Sequence, residues 1–195
     1  DTYRIDKSTV TNISTIYFSG GLLVAFLQNT AIQLTDITVK NSSLRFFNNP
    51  STFPSQSYMG LIIGRAHATG VAGKQSFIRN CLVEYDTIYY SSTFQPNSGH
   101  FIGGIAGTSP DGSGTIPFEY NASRYNYFYS RTGSTLRKNV GGGLIGDISS
   151  PSASFNYNYS HSNKADFGNG GSPNNYPWGW GGIFGYTGAN NIHTF

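Results

Sequence analysis

A glycine-aliphatic motif returns along this chain at a nearly constant interval. Four copies are clear and the N-terminal copy is weaker; in order they are Gly20–Val24, Gly60–Gly64, Gly103–Gly107, Gly142–Gly146 and Gly181–Gly185. Their last residues, 24, 64, 107, 146 and 185, are 40, 43, 39 and 39 residues apart. A period of this length is typical of repeat proteins, in which each unit shares a continuous core with its neighbours.

A second series of short segments, each ending in asparagine, lies between the glycine motifs. The segments are Thr9–Asn12, Thr38–Asn41, Phe77–Asn80, Phe118–Asn121 and Phe155–Asn158. The asparagines are 29, 39, 41 and 37 residues apart, so the first unit is truncated and the others keep the glycine period. Two series with one period predict a single repeat domain over residues 1–195, with about five repeats.

The composition favours strands and turns over helices. Glycine occurs 25 times, aromatic residues make up 15% of the chain, and charged residues make up only 11%. The alternation of Phe155, Tyr157 and Tyr159 with Asn156 and Asn158 predicts a strand whose aromatic side chains face inward.

We therefore predict an all-β fold, a parallel β-helix or solenoid built from repeats of ~40 residues. Each repeat contains two candidate strands and would give one large coil or two small ones. A β-sandwich is the alternative, because short strands at regular spacing also build that fold.

Four asparagines of the second series begin the acceptor pattern Asn-x-Ser/Thr: Asn12, Asn41, Asn121 and Asn158. If the series faces solvent, these side chains are N-glycosylation sites of a secreted protein. If it faces the core, stacked asparagines form a hydrogen-bonded ladder, and a buried amide cannot carry a sugar. Because Phe155 and Tyr157 are predicted to face inward, Asn158 should face outward, and glycosylation is the favoured interpretation. A ladder and a chance occurrence of the pattern are the alternatives.

Two aromatic runs supply the candidate ligand contacts. Tyr125, Tyr127 and Tyr129 belong to one run, and Trp178 and Trp180 belong to the other. Rings that carry a polar group suit contacts with carbohydrate or protein. The alternative is that half of these rings face the core and the others cover it.

Catalytic and metal-binding patterns are weak. Glycoside hydrolysis uses two carboxylates on either side of the scissile bond, and Glu84 and Asp86 would share a strand face. No acid follows at the equivalent positions one repeat later. The four histidines lack metal-ligand spacing, and Cys81, the single cysteine, lies in an apolar run. We therefore expect a non-catalytic protein with no cofactor and no metal.

Charge and hydropathy argue against two further classes of protein. The net charge of +3 comes from 12 Lys and Arg residues spread along the chain, which does not predict a nucleic-acid-binding patch. The apolar runs are shorter than the ~20 residues of a membrane span. Because the chain begins at Asp1 without a signal-like segment, we expect a processed form or a piece of a longer array.

The units Gly103–Gly107 and Gly142–Gly146 resemble the GLUG-type repeats of bacterial and protist surface proteins. The resemblance covers roughly residues 5–190 and implies a β-helical, non-catalytic spacer or adhesive segment at the cell surface. No catalytic residue carries over, because the repeat itself contains none.

The expected role is a structural subunit of an extracellular, glycosylated filament, sheath or surface appendage. Solenoid ends with exposed strand edges favour stacking of one copy on another, end to end or side by side. A carbohydrate- or host-binding adhesin is the second expectation, and a polysaccharide-active β-helix enzyme is the third.

Overall fold

The chain winds into five coils of a parallel β-solenoid. A computed structural model describes residues 3–6, 9–12, 18–28, 32–48, 57–67, 76–92, 100–108, 116–132, 139–148, 152–167, 178–187 and 192–194. Throughout these residues the regular elements are strands, and each strand pairs in parallel with its counterpart in the next coil. The predicted all-β parallel solenoid is confirmed, and the β-sandwich alternative is wrong because a sandwich is built from antiparallel sheets.

Each coil contains five short strands. The first coil holds β1 to β5: Tyr3–Asp6, Thr9–Asn12, Phe18–Gly20, Val24–Gln28 and Gln33–Thr35. The second holds β6 to β10: Ile37–Lys40, Ser43–Asn48, Ser57–Gly60, Ile63–His67 and Phe77–Arg79. The third holds β11 to β15: Leu82–Glu84, Thr87–Ser92, His100–Gly103, Ala106–Thr108 and Ile116–Glu119.

The two C-terminal coils follow the same plan. The fourth holds β16 to β20: Ala122–Arg124, Tyr127–Thr132, Asn139–Gly142, Ile145–Ile148 and Ser152–Asn156. The fifth holds β21 to β25: Tyr159–His161, Lys164–Phe167, Trp178–Gly181, Phe184–Thr187 and Ile192–Thr194. Each repeat thus gives one large coil of five strands, and the expectation of two strands per repeat is wrong.

Strands that hold the same place in their coils form one five-stranded sheet. We number the sheets I to V in the order in which a coil visits them, so sheet I contains β1, β6, β11, β16 and β21. Equivalent residues of successive coils consequently lie in columns that run along the solenoid.

The glycine motifs lie at the step from sheet III to sheet IV. Gly60, Gly103, Gly142 and Gly181 are in register, which confirms the phase of the four clear copies. The first copy is displaced by one residue, because Gly20 pairs with Met59 rather than with Gly60.

Glycine is needed at this step because backbones approach one another closely. A Cβ on Gly103, the first glycine of its motif, would lie 2.6 Å from the backbone nitrogen of Gly146 in the next coil. A Cβ on Gly107, the last glycine, would meet sheet III of the preceding coil, 2.7 Å from the carbonyl carbon of Tyr58. Real Cβ atoms essentially never approach another atom within 3.0 Å, so the motif allows sheet IV to pack directly on sheet III.

The core lies inside the coils and consists of apolar columns. One column in sheet II contains Leu44, Ile88 and Phe128, all fully buried. At the step between sheets III and IV another column contains the buried side chains of Ile62, Ile105 and Leu144. These residues belong to a single hydrophobic cluster, so every coil shares its interior with the next.

Candidate functional site

Sheet I is bounded by two sharp corners in which one residue adopts a left-handed backbone. At the corner between sheets V and I, the V–I corner, these residues are Asp36, Asn80, Tyr120 and Tyr157, with φ between 52° and 56°. At the corner between sheets I and II, the I–II corner, they are Asn41, Tyr85, Tyr125 and Ser162, with φ between 50° and 58°. The left-handed residue breaks the strand alternation, and the residue after it turns into the coil.

An amide ladder fills the inside of the V–I corner. The Oδ1 atom of Asn121 accepts a hydrogen bond from the backbone of Cys81 at 3.0 Å, and its Nδ2 donates to the carbonyl of Ile78 at 2.9 Å. One coil later, the Oδ1 atom of Asn158 accepts from the backbone and side chain of Asn121, and its Nδ2 donates to Phe118 at 2.6 Å. Each asparagine therefore joins its own coil to the preceding one.

A second ladder fills the inside of the I–II corner. Asp86 accepts from the backbone of Ser42 at 2.7 Å, Asn126 accepts from the backbone of Asp86 at 2.8 Å, and Asn163 accepts from the backbone of Asn126 at 3.0 Å. The amides also donate: Asn126 to the carbonyl of Val83, and Asn163 to that of Ser123. Four successive coils are linked at this corner.

The glycan interpretation does not fit Asn121 and Asn158. Asn121 is only 1% exposed, and a sugar on its Nδ2 would displace the ladder hydrogen bonds. The alternation used to place Asn158 outside fails at Tyr157, which is left-handed and 77% exposed. For this pair the geometry is that of the ladder alternative.

The remaining asparagines of the series do not share that column. Asn12 lies in β2, opposite Phe46, and its side chain falls outside the described residues. Asn41 occupies the left-handed position of the I–II corner and is exposed, whereas Asn80 occupies that of the V–I corner. Glycosylation of Asn12 and Asn41 stays a prediction. The expectation that the asparagines of the series form one column is wrong.

Glu84 and Asp86 do not form an acid pair on one strand face, because the left-handed Tyr85 separates them. The buried carboxylate of Glu84 lies 2.7 Å from Lys40 Nζ and 3.0 Å from Arg124 Nε. The hydrogen-bonding ammonium group of Lys40 lowers the pKa of Glu84 despite its burial, and Arg124 lowers it further. Asp86 accepts from the backbone of Ser42 and of Glu84. Both acids therefore hold the coils together.

Exposed tyrosines stack along the outside of the two corners. The ring centroids of Tyr85 and Tyr125 are 5.1 Å apart with planes 7° from parallel, and those of Tyr120 and Tyr157 are 4.9 Å apart at 8°. Sequence reasoning missed Tyr85, Tyr120 and Tyr157, because only the coil register shows that residues about 40 positions apart are neighbours.

The predicted ligand-contact aromatics are divided by the fold. Tyr125 and Tyr127 are exposed close to sheet I, and Tyr129 is half-buried in a stack on Tyr89, 4.5 Å between centroids. Trp180 packs against the core and lies 4.9 Å from Phe128. The side chain of Trp178 falls outside the described residues. The tyrosine run is thus a surface feature, whereas Trp180 belongs largely to the interior.

A buried polar cluster, missed by sequence reasoning, lies where sheet II faces sheet III. It contains Ser57, His100 and Ser130, all fully buried, and within the described residues neither the hydroxyls nor the ring nitrogens have a hydrogen-bond partner. Ser57 pairs with His100 in sheet III, and Ser130 pairs with Tyr90 in sheet II, whose ring centroid lies 4.1 Å from that of His100. Burial lowers the pKa of His100 from 6.5 to about 3, because the charged ring would lose its hydration.

Acid is expected to destabilise the solenoid through His100. Because its folded pKa of about 3 lies below the ordinary value of 6.5, the unfolded chain binds a proton that the folded chain excludes. Stability is therefore lost as pH falls, by about 1.7 kcal/mol between pH 6.5 and pH 5, because the slope rises from half of ~1.4 kcal/mol per pH unit at pH 6.5 toward its full value. Urea titrations of the wild type and His100→Phe at both pH values test this, and an equal loss in the variant would contradict it.

Other chemistry finds little support in the described residues. No group of three or more His, Cys, Asp or Glu side chains among them could hold a metal ion. Cys81 is buried, which raises the pKa of its thiol to about 11 and leaves almost no thiolate at neutral pH. Within the same residues, no helix has the length and apolar character to cross a bilayer.

No protein-family model, curated protein or solved structure matches this chain. The molecule is a parallel β-solenoid with five-stranded coils, inward amide ladders and outward tyrosine stacks at the corners of sheet I.

Proposed function

We propose that this chain is a structural segment of an extracellular filament, sheath or surface appendage, in which coils stack to extend a rod. The proposal rests on one observation: the buried carboxylate and amide side chains of this chain bond to neighbouring coils. Asp86, Asn121 and Asn126 bond to the backbone of neighbouring coils, and Glu84 joins Lys40 to Arg124. Groups that an enzyme would direct at a substrate instead hold coil to coil.

The two ends of the solenoid support further stacking. In the first coil, Leu23 is 45% exposed, although Ile62 and Ile105 of the same column are fully buried. In the last coil, Trp180 and Phe184 are only partly buried where they pack on the core. Another coil, from the same array or a second copy, would cover these apolar side chains and pair the terminal strands. Head-to-tail contacts that continue along the solenoid axis without closing into a ring give open filaments.

The extracellular placement rests on the resemblance of the glycine motifs and on the acceptor patterns. Asn41 is the site whose geometry suits a glycan best, since it is exposed at a corner. A sugar there would project from the side of the rod and leave its ends free.

The adhesin alternative has weaker support. Within each tyrosine stack one face of each ring covers its partner, so a sugar that packs on an aromatic residue could use only the outer faces of the two rings. The enzyme alternative is weaker still, because Glu84 and Asp86 are both occupied by structural contacts.

Negative-stain imaging and light scattering of the whole chain at increasing concentration test the proposal. We expect rods that lengthen with concentration and are suppressed by Leu23→Asp, which places a charge on the apolar end. The matched control is Thr87→Asp, on the side of the third coil, which should assemble normally. Discrete monomers at every concentration would overturn the proposal. The intact mass of native material before and after deglycosylation tests whether Asn41 carries a glycan.

A further inference from the structure

Tyrosine occupies half of the strained corner positions. Of the eight non-glycine residues with positive φ in the described chain, four are the corner tyrosines Tyr85, Tyr120, Tyr125 and Tyr157. A left-handed backbone costs an ordinary residue roughly 1–2 kcal/mol, and a bulky residue there is an outlier. Asparagine adopts this backbone more readily, and Asn41 and Asn80 do so at the same corners of other coils.

The corner tyrosines remain exposed despite that cost. Their exposure ranges from 44% for Tyr125 to 77% for Tyr157. A stacked pair of rings contributes about 0.5–1.5 kcal/mol beyond burial. A bulky residue that holds an outlier backbone while its ring stays at the surface indicates a use of the side chain outside the fold.

The stacks present the reactive end of the phenol to solvent. Tyr85 and Tyr125 begin from equivalent positions of adjacent coils and have nearly parallel planes, so their hydroxyl ends point the same way. The same holds for Tyr120 and Tyr157. When a phenol loses one electron and one proton, the radical resides on the oxygen and on the two carbons beside the hydroxyl-bearing carbon. Those atoms lie at the outer edge of each stack.

We propose that the corner tyrosines are sites of oxidative phenol coupling, which joins copies of this chain covalently. A peroxidase using hydrogen peroxide would remove one electron and one proton from each of two phenols. The two radicals join through one new carbon–carbon bond beside the hydroxyls, and the ring hydrogens at those carbons move to the oxygens to restore both phenols. The peroxide takes up the two electrons and two protons and leaves as two water molecules.

Stacking favours this reaction in two ways. The face of a neighbouring ring stabilises the positive charge that develops as an electron leaves, as it does in a cation–π contact. In addition, stacked rings of one chain point side by side, so their reactive carbons do not face each other. Coupling is therefore directed to a tyrosine of a copy that lies alongside, and the inference rests on the proposed function for such neighbours, because rods packed side by side in a sheath would bring the corners of adjacent copies together.

The test uses the whole chain with peroxidase and hydrogen peroxide. The wild type is expected to form SDS-resistant multimers with dityrosine fluorescence, and peptide mapping should place the bonds at Tyr85, Tyr120, Tyr125 and Tyr157. Replacing all four with phenylalanine keeps the rings and should remove most of the multimer and fluorescence. Tyr127→Phe with Tyr159→Phe is the control, because these tyrosines are also exposed but have an ordinary backbone.

Two outcomes would overturn the inference. One is coupling in the four-phenylalanine variant at the wild-type rate, with thermal unfolding showing both proteins folded. The other is an equal loss in the control variant, which would mean that exposure alone decides reactivity. Light scattering before any oxidant is added separates this result from the proposed function, because assembly is then measured without coupling.

Discussion

Gly107→Ala is expected to destabilise the solenoid by about 3 kcal/mol or more, because overpacking against rigid backbone cannot relax. The new Cβ would lie 2.5 Å from the carbonyl oxygen of Gly64 and 2.7 Å from the carbonyl carbon of Tyr58. Both atoms belong to the backbone of the preceding coil, in the middle of the stack. Relief would require sheets III and IV to separate, which would open the core beside Ile62 and Ile105.

Urea denaturation followed by circular dichroism measures this effect, with Gly182→Ala as the matched control. Gly182 holds the second position of the last motif, and a Cβ there would meet nothing within 4 Å. The control should stay within about 0.5 kcal/mol of the wild type, as unobstructed surface substitutions usually do. Equal unfolding midpoints for the two variants would contradict the close approach of sheets III and IV.

The repeat could be predicted because each coil needs glycine at the same step for steric reasons, so the motif recurs in the sequence. Where backbones approach too closely for a Cβ, only glycine fits, so Gly64, Gly107, Gly146 and Gly185 mark equivalent points of successive coils. The parallel solenoid follows from that phase. The displaced first copy was hidden because Ala25 stands where the later coils have glycine.

The corners could not be predicted because their left-handed residues are not the usual ones. Turn signals rest on glycine, asparagine and aspartate, whereas Tyr120, Tyr125 and Tyr157 interrupt strands that read as continuous alternation. One such residue reverses every later inside–outside assignment. For that reason the alternation predicts Asn158 on the outside, although its amide lies in the corner ladder.

The inward residues of sheet I change from apolar to polar along the solenoid, and the reason is visible only from the residues that contact them in the structure. The inward column of sheet I passes from Val39 and Val83 to Ser123 and Ser160. Gly104 and Gly143, each in the coil before its serine, leave room for Ser123 and Ser160, since a Cβ on either glycine would collide with the serine hydroxyl. The serine hydroxyls accept hydrogen bonds from the ladder amides of Asn126 and Asn163. A polar corner thus replaces an apolar one through coupled substitutions at distant positions.

The ladders also give the solenoid a direction. In each step the side chain of one coil accepts the backbone N–H of the preceding coil, as Asn126 does for Asp86 and Asn163 does for Asn126. Removal of one member should therefore leave an unsatisfied donor in the coil before it. The loss would be felt in the middle of the array, where the donor is buried away from bulk solvent.

Asn126→Ala is expected to lower the unfolding free energy by about 2–5 kcal/mol, since each buried group left unpaired costs about 1–3 kcal/mol. Asn126 is 1% exposed and accepts from Asp86, while its Nδ2 donates to Val83 at 3.2 Å and to Ser123 Oγ at 3.1 Å. Asn156→Ala is the matched control, because among the described residues its half-buried amide has one weak hydrogen bond, to Glu119 Oε1 at 3.5 Å.

Urea unfolding midpoints of the two variants and amide hydrogen exchange at Asp86 together test whether the Asn126 ladder amide holds neighbouring coils. The control should change stability by no more than about 0.5 kcal/mol. In Asn126→Ala the amide of Asp86 should exchange faster than the amides of β11 and β12 on either side of it, because it loses its acceptor while the β11–β16 pairing remains. Unchanged exchange at Asp86, or equal destabilisation by the two variants, would mean that the corner amides do not bind the coils together.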